Sequence, residues 1–373
     1  MRPTRAEVDL GAIVDNVVLL ARVSGAAVCA VVKADAYGHG AVRVARALEE
    51  SGRVAALAVS LVEEGIELRD AGVRLPVLVM GPAQRGGHAE MVARELTPVV
   101  SDPGDLDALD ALGRVRGRPV AIHVKVDSGM GRLGIAPDAL APLIERAVAP
   151  GSGVDVEGIC THFASSDLPD LAAASLVTLE QLAVFDRALA AATLAGAAPR
   201  VVHASNSAAV LRFPDAAFAW VRPGIALYGN GLAPAPEQGA LRPAMTLVSE
   251  IVQLRQVPAG QAVGYGGLWR APRASTVAVL PVGYADGLTR RLTGVADVLV
   301  GGKRCPVVGA ISMDIALVDV TSLGDDARVG DAVVLLGAQA RERITAAELA
   351  TRAGLLEYEV TCAVSRRVPR TYR

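Results

Sequence analysis

The chain's 373 residues include 37 basic ones, and all but three of these are arginine; the exceptions are Lys33, Lys125 and Lys303. A guanidinium stays protonated, whereas a lysine amine can lose its proton and act as a base or nucleophile. An unperturbed lysine is free amine in roughly one part in two thousand at pH 7, so burial or neighbouring charge must shift it. Lys33 ends the apolar run CAVVK, which supplies burial. Composition alone supports equally a strand end paired with Asp35. The following residues tip that balance, because AVVKADAYGHG adds the Tyr37 hydroxyl and two glycines, Gly38 and Gly40. A lysine able to form a Schiff base, beside a hydroxyl able to hold a phosphate, is equipment for pyridoxal phosphate. Lys125 precedes Asp127, and an unmodified lysine paired with that carboxylate is one reading of it. Lys303 lies in VGGKRCP and reads as a solvated hairpin turn.

These groups need a frame. Short β-branched runs alternate with amphipathic stretches from Val28 to about Gly229: residues 29–33, 54–60, 76–80, 97–101, 120–126, 156–162, 200–206 and 219–224 read as strands. Helical patterns intervene, such as 41–50, ended by Gly52, and 171–195, ended by Gly196. Eight strand-then-helix units predict an α/β fold of the (β/α)8 TIM-barrel type. Beyond Pro243, strand-like runs separated by Gly, Pro and Asp turns predict a mostly β C-terminal domain. The expected division is 1–235 and 236–373, with Ala233 to Gln238 as the junction. A barrel carries its active site at the C-terminal strand ends. Lys33, Ser60, Lys125 with Asp127, His162, Ser205 with Asn206, and Arg222 all end apolar runs there. Ser207 then opens a short helix, and Gly224 with Ile225 follow Arg222 near the last strand, where phosphate sites recur in such barrels.

Several function classes recede. A net charge of −2 and the lack of a basic tract argue against nucleic acid. Apolar runs are far shorter than the roughly 20 residues of a membrane span, and the N-terminus carries no apolar signal block. Cys29, Cys160, Cys305 and Cys362 form no CxxC pair, which fits a reduced, cytoplasmic chain. Five dispersed histidines and no HExxH leave metal chemistry unsupported. GMGRLG spells a dinucleotide fingerprint, but it follows the fifth strand and its helix starts only near Pro137. Ser205 and Ser207 near His203 lack the G-x-S-x-G elbow of a hydrolase.

AVVKADAYGHG, HVKVDSGMGRLG, THFASSD, HASNSAA, VRPGIALYG, VGYGG, PVGYADG, SMD and EYEV together resemble alanine racemase, in the family's order and over nearly the whole chain. The resemblance implies that Lys33 carries pyridoxal 5′-phosphate and is one of two catalytic bases. It implies phosphate ligands at Tyr37, Ser207, Gly224, Ile225 and Tyr358. Arg222 would face the pyridine nitrogen, with His162 hydrogen-bonded to it. A permanent cation there disfavours ring protonation, which weakens the electron sink and suppresses transamination. Tyr265 would be the second base, supplied by the partner of a homodimer, and its activation would call on the positive Arg222 and His162 pair. Arg132 and the backbone of Met313 would bind substrate carboxylate, and Lys125 would be carbamylated to hold Arg132. Ser312 stands where the family commonly has Cys.

The implied activity is interconversion of L- and D-alanine, feeding peptidoglycan. A broad-specificity amino-acid racemase on the same scaffold is the closest competitor, since substrate width depends on room near Tyr265 and Tyr284. A non-enzymatic pyridoxal-phosphate-binding barrel would lack the β domain and Tyr265. A decarboxylase would place a carboxylate, not Arg222, against the ring nitrogen.

Overall fold

A computed structural model describes residues 2–84, 86–231 and 240–373. The chain divides into two compact units. One comprises Ile13–Ala36 and Ala41–Arg242; the other comprises the residues up to Ala12, Tyr37–Gly40 and Pro243–Arg373. The boundary expected at 235/236, with its junction Ala233 to Gln238, lies outside the described residues.

After an initial strand, β1 (Arg5–Val8), the first unit is a closed parallel barrel of β2 (Ala27–Val31), β3 (Ala56–Val59), β4 (Val77–Val79), β5 (Thr97–Val100), β6 (Val120–Lys125), β7 (Val154–Cys160), β8 (Val201–His203) and β9 (Trp220–Val221). The eight strands expected from the sequence are all present. They are short and apolar because both faces are covered, and β3 and β4 are buried at every residue. Helix Ala41–Ser51 buries Ala41, Val44, Ala45 and Leu48, the one-face spacing of a helix laid on a sheet. Helix Leu171–Leu194 starts at Asp170, whose carboxylate accepts from Ala172 N and Ala173 N. Val124, Ile159, Phe163 and Phe185 share one buried core cluster.

The second unit is built on a ten-stranded sheet. Its later strands are β10 (Met245–Glu250), β11 (Gln253–Val257), β12 (Ala262–Val263), β13 (Trp269–Arg270), β14 (Ser275–Leu280), β15 (Asp297–Val300), β16 (Lys303–Val308), β17 (Ala316–Asp319), β18 (Ala332–Gln339), β19 (Glu342–Ile344) and β20 (Arg370–Tyr372). The sheet order is β11-β14-β17-β16-β15-β18-β10-β1-β20, with β19 on β18 and β12-β13 as a separate hairpin. β1 pairs antiparallel with β10 (Val8 opposite Met245) and parallel with β20 (Ala6 opposite Arg370). Chain order alone leaves the first strand with the barrel, but four residues of alternating burial fit any half-covered sheet, and distant partners choose between them. Lys303 stands beside a two-residue Gly301-Gly302 loop with both φ positive, as the hairpin reading expects.

Candidate active site

The barrel presents its polar groups at the C-terminal strand ends. Strand β2 stops at Val31, and Lys33 opens a left-handed turn in which Ala34, Asp35, Ala36 and Tyr37 all hold φ between 52 and 54°. Each non-glycine residue in that region costs about 1–2 kcal/mol. Side chains over-determine the turn: Glu64 Oε1 accepts from Ala34 N at 2.6 Å and Asp35 Oδ1 accepts from Ala41 N at 2.7 Å. The other Glu64 oxygen accepts from Ser60 N and Leu61 N at 2.8 and 3.0 Å, which ties the turn after β2 to the end of β3.

Arg222, just past β9, is 6 % exposed. Its Nη1 donates to His203 Nδ1 at 2.5 Å, and its Nη2 donates to Thr161 O at 2.7 Å, Ala204 O at 3.0 Å and His162 Nδ1 at 3.3 Å. Burial pushes the His162 imidazole well below its ordinary pKa, and Arg222, Lys125, Arg132 and Lys33 push the same way. The basic groups near these strand ends therefore bias the ring toward its neutral form. Arg222 is then the charged member of the Arg222 and His162 pair.

Lys125, the last residue of β6, is 9 % exposed, and its amine is lowered from the ordinary lysine value by burial and by the Arg222 and Arg132 charges. The plain reading made Asp127 its partner. Instead Asp127 Oδ1 accepts from Gly129, Met130 and Gly131 N at 3.0, 2.8 and 3.0 Å, and among the described residues no carboxylate forms an ion pair with Lys125. Asp127 thus shapes the loop that carries exposed Arg132, closed by Ile135 N to Lys125 O at 2.8 Å. Gly134 is required there, since a Cβ would lie 2.6 Å from Asp127 N.

Ser207 caps no strand but joins two segments: its Oγ accepts from Gly224 N at 2.8 Å and Ala226 N at 3.2 Å. An amine, a fixed guanidinium, a hydroxyl and backbone N–H groups at the ends of neighbouring strands make a donor set that fits an aldehyde, a ring nitrogen and a phosphate.

In the β unit, Tyr37 and Tyr358 lie with ring centroids 5.8 Å apart. Their backbones touch closely, because a Cβ on Gly38 would fall 2.1 Å from Thr361 O. Arg370 also donates to Gly38 O from two nitrogens, at 3.2 and 3.0 Å. Tyr265 stands 73 % exposed on a turn between β12 and β13 whose neighbours Gly264, Gly266 and Gly267 all have positive φ. Tyr284 N donates to Ser312 O at 3.0 Å and Ala285 N to Met313 O at 3.1 Å, so the turns carrying Tyr284 and Met313 are one assembly. Ser312 fits this site on its own terms: its hydroxyl donates to Ile315 O at 2.9 Å and accepts from Ile315 N at 3.1 Å.

Gly283 permits that close approach, since a Cβ would fall 2.3 Å from Ser312 O. Gly283→Ala is expected to destabilise the protein by about 2 kcal/mol or more, read as a lower urea midpoint; an unchanged midpoint would mean that the two turns are not coupled as described.

Sequence reasoning missed Glu64, whose three backbone contacts leave no motif, and treated His203 only as a decoy neighbour of two serines. A signal for His203 existed: its period-two placement in β8 puts it on the same face as buried Val201.

The chain matches the family model described as "Alanine racemase, N-terminal domain" over residues 8–231 and the one described as "Alanine racemase, C-terminal domain" over residues 244–372. It is 47 % identical to an alanine racemase of Sorangium cellulosum, covering 100 % of both chains. Among solved structures, it resembles alanine racemase from D-cycloserine-producing Streptomyces lavendulae, with 38 % identity, a TM-score of 0.93, and 100 % and 97 % of the two chains covered. It also resembles alanine racemase from Bartonella henselae with covalently bound pyridoxal phosphate, with 28 % identity, a TM-score of 0.88, and 100 % of both chains covered.

Proposed function

We infer the activity from one premise: the chain belongs to the alanine racemase family. It is an amino-acid isomerase that interconverts L-alanine and D-alanine. The cofactor we propose is pyridoxal 5′-phosphate, with Lys33 as its attachment point and Tyr37, Ser207, Gly224, Ile225 and Tyr358 around its phosphate. When bound, this group withdraws electrons from the Cα of an attached amino acid and so acidifies its proton. Everything else falls to the chain.

The observation that carries this reading is Arg222, a buried, permanent cation gripped by two imidazoles and two carbonyls. A group that only donates cannot accept a proton from a ring nitrogen or support a positive charge on it. It orients the ring and keeps it a moderate electron sink, which favours return of the proton to Cα. Lys33 Nζ holds a proton for one face of that carbon and Tyr265 Oη for the other, since inversion needs two bases on opposite sides. Arg132 and the Met313 backbone bind the substrate carboxylate.

The exposed Tyr265 on its glycine turn suits service in another subunit, so the working form is proposed as a homodimer. Within the cytoplasm the D-alanine made would feed peptidoglycan. Racemisation assays across Ala, Ser, Arg and Lys test the assignment. Preference for alanine is expected; comparable rates for all four would make the broad-specificity reading correct.

Lys125 is proposed to be carbamylated. A buried amine between guanidinium charges is biased toward its neutral form, and a neutral amine adds carbon dioxide, releasing a proton and leaving an anion able to pair with Arg132. Native mass spectrometry of the intact protein is expected to find the added mass of one carbon dioxide, absent in Lys125→Ala; identical masses after subtracting the substitution would leave the amine unmodified.

A further inference from the structure

A row of polar side chains continues from Arg222 into the closed interior of the barrel. His203 Nε2 lies 2.7 Å from His123 Nδ1, and both rings are at most 1 % exposed. His123 Nε2 makes no hydrogen bond and points toward Glu157 Oε2 at 3.7 Å, a charge contact. Glu157 is also 3.4 Å from Arg200, and the His123 ring and the Arg200 guanidinium together hold its carboxyl below the usual range.

The direction of this row is forced. A guanidinium has no acceptor, so His203 Nδ1 must accept from Arg222. The His203 proton then sits on Nε2 and is donated to His123 Nδ1. The His123 proton is left on Nε2, facing the Glu157 carboxylate. Any other proton arrangement sets two donors or two acceptors against each other between buried rings, at the cost of an unsatisfied buried group. Burial favours the neutral form of both rings, and the Arg222 charge adds to this.

The barrel makes room for the row. The β6–β7 register shifts between Ile122 and His123, which sets Gly158 opposite His123. A Cβ at 158 would lie 2.5 Å from His123 Nδ1. The Trp220 ring packs against both imidazoles, at 5.8 and 6.1 Å between centroids.

We propose that His123 and Glu157 are positioning residues that act on Arg222 through His203, holding from the closed side of the barrel the guanidinium that faces the cofactor ring. The proposal rests on the reading of Arg222 given above. Its test uses the full-length enzyme with 15N-labelled histidine rings, with and without pyridoxal phosphate. The wild type is expected to hold His203 and His123 each as the single Nε2–H tautomer. His123→Phe fills the space but cannot accept, so the His203 Nε2–H, still placed there by Arg222, should lose its hydrogen bond and its proton resonance should move well upfield. It should also lower kcat about tenfold to a hundredfold with little change in KM, and raise the fraction of turnovers that end in pyruvate. His123→Asn, which restores an acceptor near the Nδ1 position, should restore the hydrogen-bonded shift of the His203 Nε2 proton and most of kcat.

A wild-type His203 protonated on Nδ1 would overturn the proposal. So would a His123→Phe enzyme whose only defect is a lower melting temperature. Arg222→Lys separates the two layers of argument. If it raises pyruvate formation while His123→Phe does not, the row fails alone; if it leaves pyruvate formation unchanged, the reading of Arg222 fails.

Discussion

Lys33→Ala is expected to lower racemisation in both directions by roughly 10⁴-fold or more, because it removes both the attachment point and one of two bases. The effect should not come from unfolding. Lys33 opens the left-handed turn but is not among its positive-φ residues, and Glu64, Asp35 and Val32 each accept a backbone hydrogen bond that holds it. The variant should therefore melt within a few degrees of the wild type while losing the visible absorbance of the attached cofactor, measured on the purified protein. Lys33→Arg should lose the same absorbance, since a guanidinium keeps its charge. Full racemisation by Lys33→Ala would rule out the mechanism.

Tyr265→Phe is the second large effect. Deleting one hydroxyl from an exposed turn should leave stability almost unchanged but cost about 10²–10⁴ in rate. The loss should be unequal: solvent-deuterium exchange starting from L-alanine should fall more than exchange starting from D-alanine. Equal losses would argue against one base per face. Mixing chains provides a sharper measurement. If Lys33 and Tyr265 of one working site come from different subunits, unfolding and refolding Lys33→Ala together with Tyr265→Phe creates heterodimers with one intact site. Random pairing should then recover about a quarter of wild-type activity. If both residues come from one chain, the mixture stays inactive.

The barrel was legible because its eight strands are buried on both faces and read as continuous apolar runs between helical periods. Boundaries drifted by up to three residues; Lys33, for instance, lies beyond β2 rather than in it. The left-handed turn was not legible. Ala34 and Ala36 have no local preference for positive φ, and their conformation is imposed by carboxylates, one of them thirty residues away in sequence. The loop after Lys125 was not legible either: Asp127 lies close in sequence, but its Oδ1 accepts from three backbone N–H groups of the following loop. The family resemblance named Arg222 and His162. The His203–His123–Glu157 row depends on strand order and on a one-residue register shift, neither of which leaves a local trace.

The pairing of β1 with β20 has a consequence for biosynthesis. Ala6 and Arg370 are neighbours in the finished sheet, yet a ribosome adding about 5–20 residues per second makes them roughly 20–70 s apart. The barrel strands lie between them in sequence and close on one another, so that unit can fold while synthesis continues. The Arg5–Val8 segment must wait, its backbone groups unpaired, until β10 and then β20 emerge. During synthesis the Arg5–Val8 segment is therefore held by water rather than by sheet partners until residues 245–250 and then 370–372 have been made.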